Sequence, residues 1–140
     1  MGTLSKSFGS CGGFIAGSKK LIELLKIYAP GLLHYSTGIS PANTAAALAA
    51  VNILMCEPHR VIHLQNNSRM FCDMAKRRKL DIGIATGLAP IVPVMIGEDL
   101  KAVRLASKLF REGMIAHPII YPVVPRNEAR IRFFLSLIHI

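Results

Sequence analysis

The stretch Gly2-Thr3-Leu4-Ser5-Lys6-Ser7-Phe8-Gly9-Ser10-Cys11-Gly12-Gly13 sets one lysine among hydroxyls and glycines. An amine so placed can form an imine with a carbonyl compound. The hydroxyls and backbone N–H groups around it can hold a phosphate. These residue types also suit a solvated Gly/Ser turn with one surface lysine, so the order of the residues has to carry the reading.

An imine-forming amine beside phosphate donors meets the two needs of a protein that binds pyridoxal 5'-phosphate (PLP). The order Thr-Leu-Ser-Lys-Ser-Phe-Gly, followed by Gly-Gly-Phe, resembles the lysine signature of the α-oxoamine synthases, a class II PLP-dependent aminotransferase-like family. That signature runs roughly G-T-[LF]-[SAG]-K-[AS]-x-G-x-x-G-G. The resemblance implies an α/β chain, the C-terminal part of a PLP-dependent transferase of fold type I. Residues 1–60 would be the end of the large cofactor-binding domain and residues 61–140 a small C-terminal α/β domain. Lys6 would carry the cofactor as a Schiff base and act as general base at the substrate's α-carbon. Thr3 would contact the cofactor; its alternative is a turn hydroxyl bonded to its own backbone.

Composition agrees with a packed, core-rich chain: 51% of residues are hydrophobic and 18% charged. No apolar run reaches the roughly 18–20 residues of a membrane span. Met1 opens directly on a polar stretch, so no secretory signal is expected, and Cys11, Cys56 and Cys72 are too irregularly spaced for a Cys-x-x-Cys site. Reduced thiols and a cytoplasmic location are expected. The net charge of +9 invites a nucleic-acid reading. Its densest run, Lys76 to Lys79, sits at the end of an expected helix, where cations complement the macrodipole. No aromatic residues interleave with it to form a stacking platform, so no nucleic-acid partner is expected.

Along the chain, residues 12–17 read as a short buried strand bounded by glycines. Ser18 caps a helix with Leu21, Ile22, Leu24, Leu25 and Tyr28 at helical spacing, ended by Pro30-Gly31. Residues 32–39 read as extended or looped. Ser40-Pro41 starts an alanine-rich helix that should pack closely on another element. Glu57-Pro58 repeats the cap-then-proline signal before a long helix to about Lys79, with Val61, Leu64, Phe71 and Ala75 on one face. A domain boundary is expected near residues 58–70. A glycine-broken connection over residues 81–88 leads to a strand over 90–96, whose Pro93 argues for an edge or a bulge. Asp99 should cap an amphipathic helix carrying Val103, Ala106, Leu109 and Phe110, and Gly113 should stop it. Strands over 114–121 and 130–135 complete a β-α-β-β layer.

Two further sites follow from the resemblance. The segment Tyr35-Ser36-Thr37-Gly38-Ile39-Ser40-Pro41 is similar to the family's loop that reaches across a dimer to the partner's cofactor phosphate. Gly38 stands where the family often has serine, which leaves Ser36 or Thr37 to supply the contact. Ala129-Arg130-Ile131-Arg132 resembles the C-terminal motif whose second arginine, here Arg132, binds the amino-acid carboxylate. A guanidinium grips a carboxylate with two parallel bonds. Strand alternation points Arg130 and Arg132 the same way, so spacing alone does not choose between them. The family's other arginine before Tyr-Pro is absent, and Arg126 has no assigned role. His59 and His63 are four apart on a helix, but without a third ligand they read as solvated residues, and no metal is expected. His34 and His117 read as packing or loop residues.

The family's glycine-rich phosphate loop, ring-stacking histidine and pyridinium-pairing aspartate have no counterpart in the sequence. The resemblance therefore implies a fragment, inactive alone, with Met1 an internal methionine. The last residues, Leu135 to Ile140, read as a translated sequencing-adapter end or as a divergent context for His139. The implied intact enzyme is a homodimer that joins an amino acid to an acyl-CoA or acyl-carrier thioester. An aminotransferase-like reaction on the same fold and a non-catalytic scaffold subunit of a heterodimer are the rival readings.

Overall fold

The computed structural model describes residues 1–29 and 37–137. The expected helix stop at Pro30-Gly31, most of the segment over 32–39, Ser36, His34 and the residues from Ile138 onward lie outside the described residues. The chain divides into two compact units, Met1–Pro58 and His59–Ile140.

In the first unit, β1 (Gly2–Thr3) and β2 (Gly13–Phe14) pair antiparallel, Gly2 opposite Phe14 and Thr3 opposite Gly13. The expected buried strand over 12–17 is thus two residues long and exposed on both, with Phe14 at 51% and Ile15 at 41% of full exposure. A pair of two-residue strands has no face broad enough to bury both sides. Helix α1 (Lys19–Tyr28) starts where Ser18 predicts: the Ser18 hydroxyl accepts from Leu21 N at 3.3 Å. Helix α2 (Pro41–Cys56) starts at Ser40, whose hydroxyl accepts from Asn43 N at 3.3 Å, with proline in the first turn where no N–H is needed. The expected close packing of its alanines is absent within the unit: Ala47 alone is buried, while Leu48, Ile53 and Met55 are exposed. Apolar residues surround this helix on all sides, so no single stripe defines a buried face.

The second unit is a two-layer α/β structure. Helix α3 (His59–Arg77) is followed by β3 (Ile91–Gly97), α4 (Asp99–Arg111), β4 (His117–Ile119) and β5 (Ala129–Phe134). The three strands form an antiparallel sheet in the order β3-β5-β4. Pro93 does lie on an edge strand, and a register shift follows between Met95 and Gly97. Both helices cover the same sheet face. Cys72 and Ala75 of α3 pack with Val92 and Val94 of β3 and with Ile82. Ala102 and Ala106 of α4 pack with Ala116, Ala129 and Ile131. Phe133 borders both clusters.

Several expectations are displaced by one helical position or more. Of the expected face of α3, Ala75 is buried and Phe71 packs against the core, joined by Ser68 and Cys72, whereas Val61 is exposed. Ser68 is wholly buried because its hydroxyl donates to the Ala89 carbonyl at 2.5 Å, tying the 81–90 connection to the helix. Gly87 comes so close that a Cβ there would lie 2.8 Å from the Arg69 Cα, and its φ of 81° also demands glycine. On α4 the expected Ala106 is buried and the expected Leu109 packs against the core, beside Ala102 and Leu105, whereas Val103 and Phe110 are exposed. The N-cap of α4 is Glu98 and not Asp99, which is already helical; Glu98 pairs with Lys101 at 2.9 Å without capping the helix through its side chain. Both α3 and α4 end in a 6→1 backbone bond, Leu80 N to Ala75 O at 3.0 Å and Met114 N to Leu109 O at 2.9 Å. The left-handed residue of that cap is Gly113 in α4, as expected, but Lys79 (φ 57°) in α3. The strand expected over 114–121 is only His117–Ile119.

Candidate functional site

Lys6 sits on the loop between β1 and β2. That loop is closed on itself by Leu4 N to Gly12 O at 2.9 Å, Ser10 N to Leu4 O at 3.0 Å and Gly9 N to Lys6 O at 3.0 Å. The Ser10 hydroxyl donates to the Asn43 carbonyl at 2.6 Å, which ties the loop to the first turn of α2. At the base of the loop a Cβ on Gly13 would stand 2.8 Å from the Gly2 carbonyl, so the two backbones meet only because residue 13 is glycine. With its backbone so held, the Lys6 side chain is exposed and makes no hydrogen bond or ion pair among the described residues.

Thr3 lies on β1, and its hydroxyl is engaged locally. It accepts from Ser5 N at 3.3 Å, lies 2.8 Å from the Ser5 hydroxyl and reaches the Gly12 carbonyl at 3.4 Å. This is the turn geometry foreseen as its alternative. When the Ser5 hydroxyl donates to it, its own proton is left only the long bond to Gly12 O and can turn toward another acceptor. Thr37 lies on the same unit, ahead of Ser40; Ser36 is outside the described residues. The loop thus holds an unpaired primary amine three residues from a reorientable hydroxyl. That donor set fits the aldehyde carbon and the oxygens of pyridoxal phosphate. An apolar groove of about 450 Å³ on the same unit is lined by Phe14, Ile15, Ile22 and Leu25 among others, without Lys6 or Thr3, so it is not where this chemistry sits.

Arg132 belongs to the second unit, on central strand β5, where it faces Pro93 of β3 and His117 of β4. Its face of the sheet, shared with Arg130 and Phe134, is the one opposite the helices. The structure separates the two arginines that alternation left equivalent. Arg130 is occupied: its Nε donates to the Glu128 carbonyl at 3.0 Å and its Nη2 to the Glu128 carboxylate at 3.1 Å. Arg132 has no acidic partner among the described residues, and its guanidinium lies 6.0 Å from the Phe134 ring centre. Arg126, without a role in the sequence reading, stacks on Tyr121 at 4.5 Å. The sequence does not single out Phe134, and His117 reads there as a packing or loop residue. Phe134 could have been found by counting two residues on from Arg132 to the same strand face. His117 needed the β4–β5 register. Among the described residues no group of three or more His, Cys, Asp or Glu gathers to hold a metal, and no single helix is long and apolar enough to cross a membrane.

The architecture is that of PLP-dependent enzymes of fold type I. The chain matches the structure of serine palmitoyltransferase from Sphingomonas wittichii with a TM-score of 0.85 at 25% identity, over 99% of this chain and 35% of that one. It matches 8-amino-7-oxononanoate synthase from Francisella tularensis with a TM-score of 0.79 at 27% identity, over 96% of this chain and 38% of the other. The family model for aminotransferase class I and II matches residues 1–136, and the chain belongs to that family. Within it, the α-oxoamine synthase resemblance of the Lys6 signature holds. The chain is 46% identical over 139 residues to 8-amino-7-oxononanoate synthase from Petrotoga mobilis, which covers 99% of this chain. It spans about a third (35%) of the length of that curated relative.

Proposed function

We propose that the chain supplies the lysine-bearing loop and the carboxylate-binding strand of a PLP-dependent acyltransferase. That enzyme would condense an amino acid with an acyl-CoA or other acyl thioester to give an aminoketone. The observation that carries this reading is the unpaired Lys6 amine on a loop whose backbone is fixed at both ends. The names of the relatives support the product class, because 8-amino-7-oxononanoate is itself an aminoketone.

When bound, pyridoxal phosphate supplies the electron sink for charge developing at the substrate's α-carbon. Lys6 would hold the cofactor through its side-chain nitrogen and would move the proton at the substrate's α-carbon. Thr3 would donate its hydroxyl proton to a cofactor oxygen. Ser36 or Thr37 donates to the cofactor phosphate of a partner subunit in a homodimer acting in the cytoplasm. Arg132 binds the amino-acid carboxylate in two parallel bonds and so orients the bonds at the α-carbon. The neighbouring Arg130 stays with Glu128.

Two measurements on the intact enzyme that contains this chain test the reading. Borohydride reduction in the presence of pyridoxal phosphate should label Lys6; an unlabelled Lys6 would leave a scaffold role. Amino-acid-dependent release of free CoA from an acyl-CoA should follow, and absence of release with every acyl donor tried would sink the acyltransferase.

A further inference from the structure

The open face of the second unit's sheet gathers three side chains from two strands. His117 of β4 is the register partner of Arg132 on β5, and Phe134 lies two residues further along β5 on the same face. The His117 ring stands nearly edge-on to the Phe134 ring, with centres 5.7 Å apart and planes at 78°. The Phe134 ring lies within reach of the Arg132 guanidinium, at 6.0 Å from its centre. Both distances fall in the range where aromatic quadrupoles attract.

We propose that His117 is a positioning residue that acts on Arg132 through Phe134. Arginine is long and rotamer-rich, and Arg132 has no acidic partner among the described residues to restrict it. Cross-strand neighbours on an antiparallel sheet are close enough to restrict it instead. The T-shaped contact with His117 fixes the Phe134 ring, and that ring limits where the guanidinium can lie. Arg130 needs no such device because Glu128 holds it. The consequence is specific: the His117–Phe134 pair governs how tightly the carboxylate is held and leaves the chemical step alone.

The inference rests on Arg132 being the carboxylate-binding residue, and the experiment separates the two. In the intact enzyme, Arg132→Lys tests the underlying reading: an unchanged KM for the amino acid would remove it. Given a raised KM in that variant, His117→Ala should raise the amino-acid KM about two- to five-fold with kcat within about twofold. Phe134→Leu should do the same. The double variant should be no worse than Phe134→Leu alone, because both changes interrupt one path. His117→Phe keeps the ring edge and loses the ring nitrogens, and it should restore the KM. Amino-acid binding followed by the change in cofactor absorbance, without acyl donor, should reproduce the same order. Additive effects, a fall in kcat in place of a rise in KM, or failure of His117→Phe to rescue would each overturn the proposal.

Discussion

In the unit His59–Ile140, Val92, Ala102, Ala129 and Ile131 are wholly shielded from solvent; in Met1–Pro58, among the described residues, Ala47 alone is buried. Yet the first unit is not poorer in apolar side chains. Leu24, Ile27, Tyr28, Leu48, Ile53 and Met55 are all present and all exposed. Its helices are specified by local chemistry, with Ser18 and Ser40 as caps and Pro41 in the first turn. The second unit is specified by burial between a sheet and two helices. Local signals decide where a helix begins, and tertiary packing supplies most of its stability.

The contrast can be broken most directly at Ile131. It is fully buried under α4, and Ile131→Ala should cost the second unit about 2–5 kcal/mol in chemical denaturation. Leu48→Ala in α2, at a side chain 61% exposed, should stay within about 0.5 kcal/mol. Equal losses at the two sites would end the comparison.

The cysteines give a second handle. Cys11 and Cys56 of the first unit are exposed, and Cys72 of the second is buried. A thiol reagent should modify the first two promptly and Cys72 only on unfolding; a Cys72 modified as fast as Cys11 would contradict its burial. Burial pushes the Cys72 thiol above its ordinary value of 9.0, with Lys76 opposing and Asp73 adding to the shift. The unfolded thiol therefore ionises first. Its contribution to stability is present below pH 9 and is lost as the pH climbs past it, and Cys72→Ala should flatten that decline.

The smallest effect sharpens the comparison within the second unit. Lys79 holds the left-handed cap position of α3 that glycine holds in α4. Lys79→Gly should stabilise by about 0.5–1 kcal/mol and Gly113→Ala should destabilise by about 1 kcal/mol, read as opposite shifts in midpoint.

What was legible in the sequence was what neighbouring residues decide among themselves. The serine caps follow from one residue's side-chain hydroxyl, and the Gly113 stop and the edge position of Pro93 from one residue's backbone chemistry. The α-oxoamine synthase signature around Lys6 was legible as an ordered motif. The rotation of α4 was legible only in part: Ala106 and Leu109 of the expected stripe face the core, but Val103 and Phe110 do not. Ala102 and Ala106 face the sheet, with Leu105 and Leu109 of the same helix packed beside them against that core. By residue type Asp99 is the better cap, and only the backbone shows that Glu98 is the extended residue ahead of the helix. Arg130 and Arg132 are likewise equal by alternation. Their difference arises because Glu128, two residues before Arg130, turns its carboxylate onto the nearer one.

The prolines of the sheet have a consequence for self-association. Met95 N–H points away from β5 and donates to the Asp81 carbonyl at 2.8 Å, so the odd-numbered residues of β3 turn their amides outward. Pro93 falls in that outward set and has no N–H. By the same alternation, Pro118 interrupts the outer rim of β4. An incoming strand on either side would meet a missing donor, and on the β3 side also one already spent. Both rims of the three strands seen among the described residues therefore resist pairing edge to edge into an aggregate.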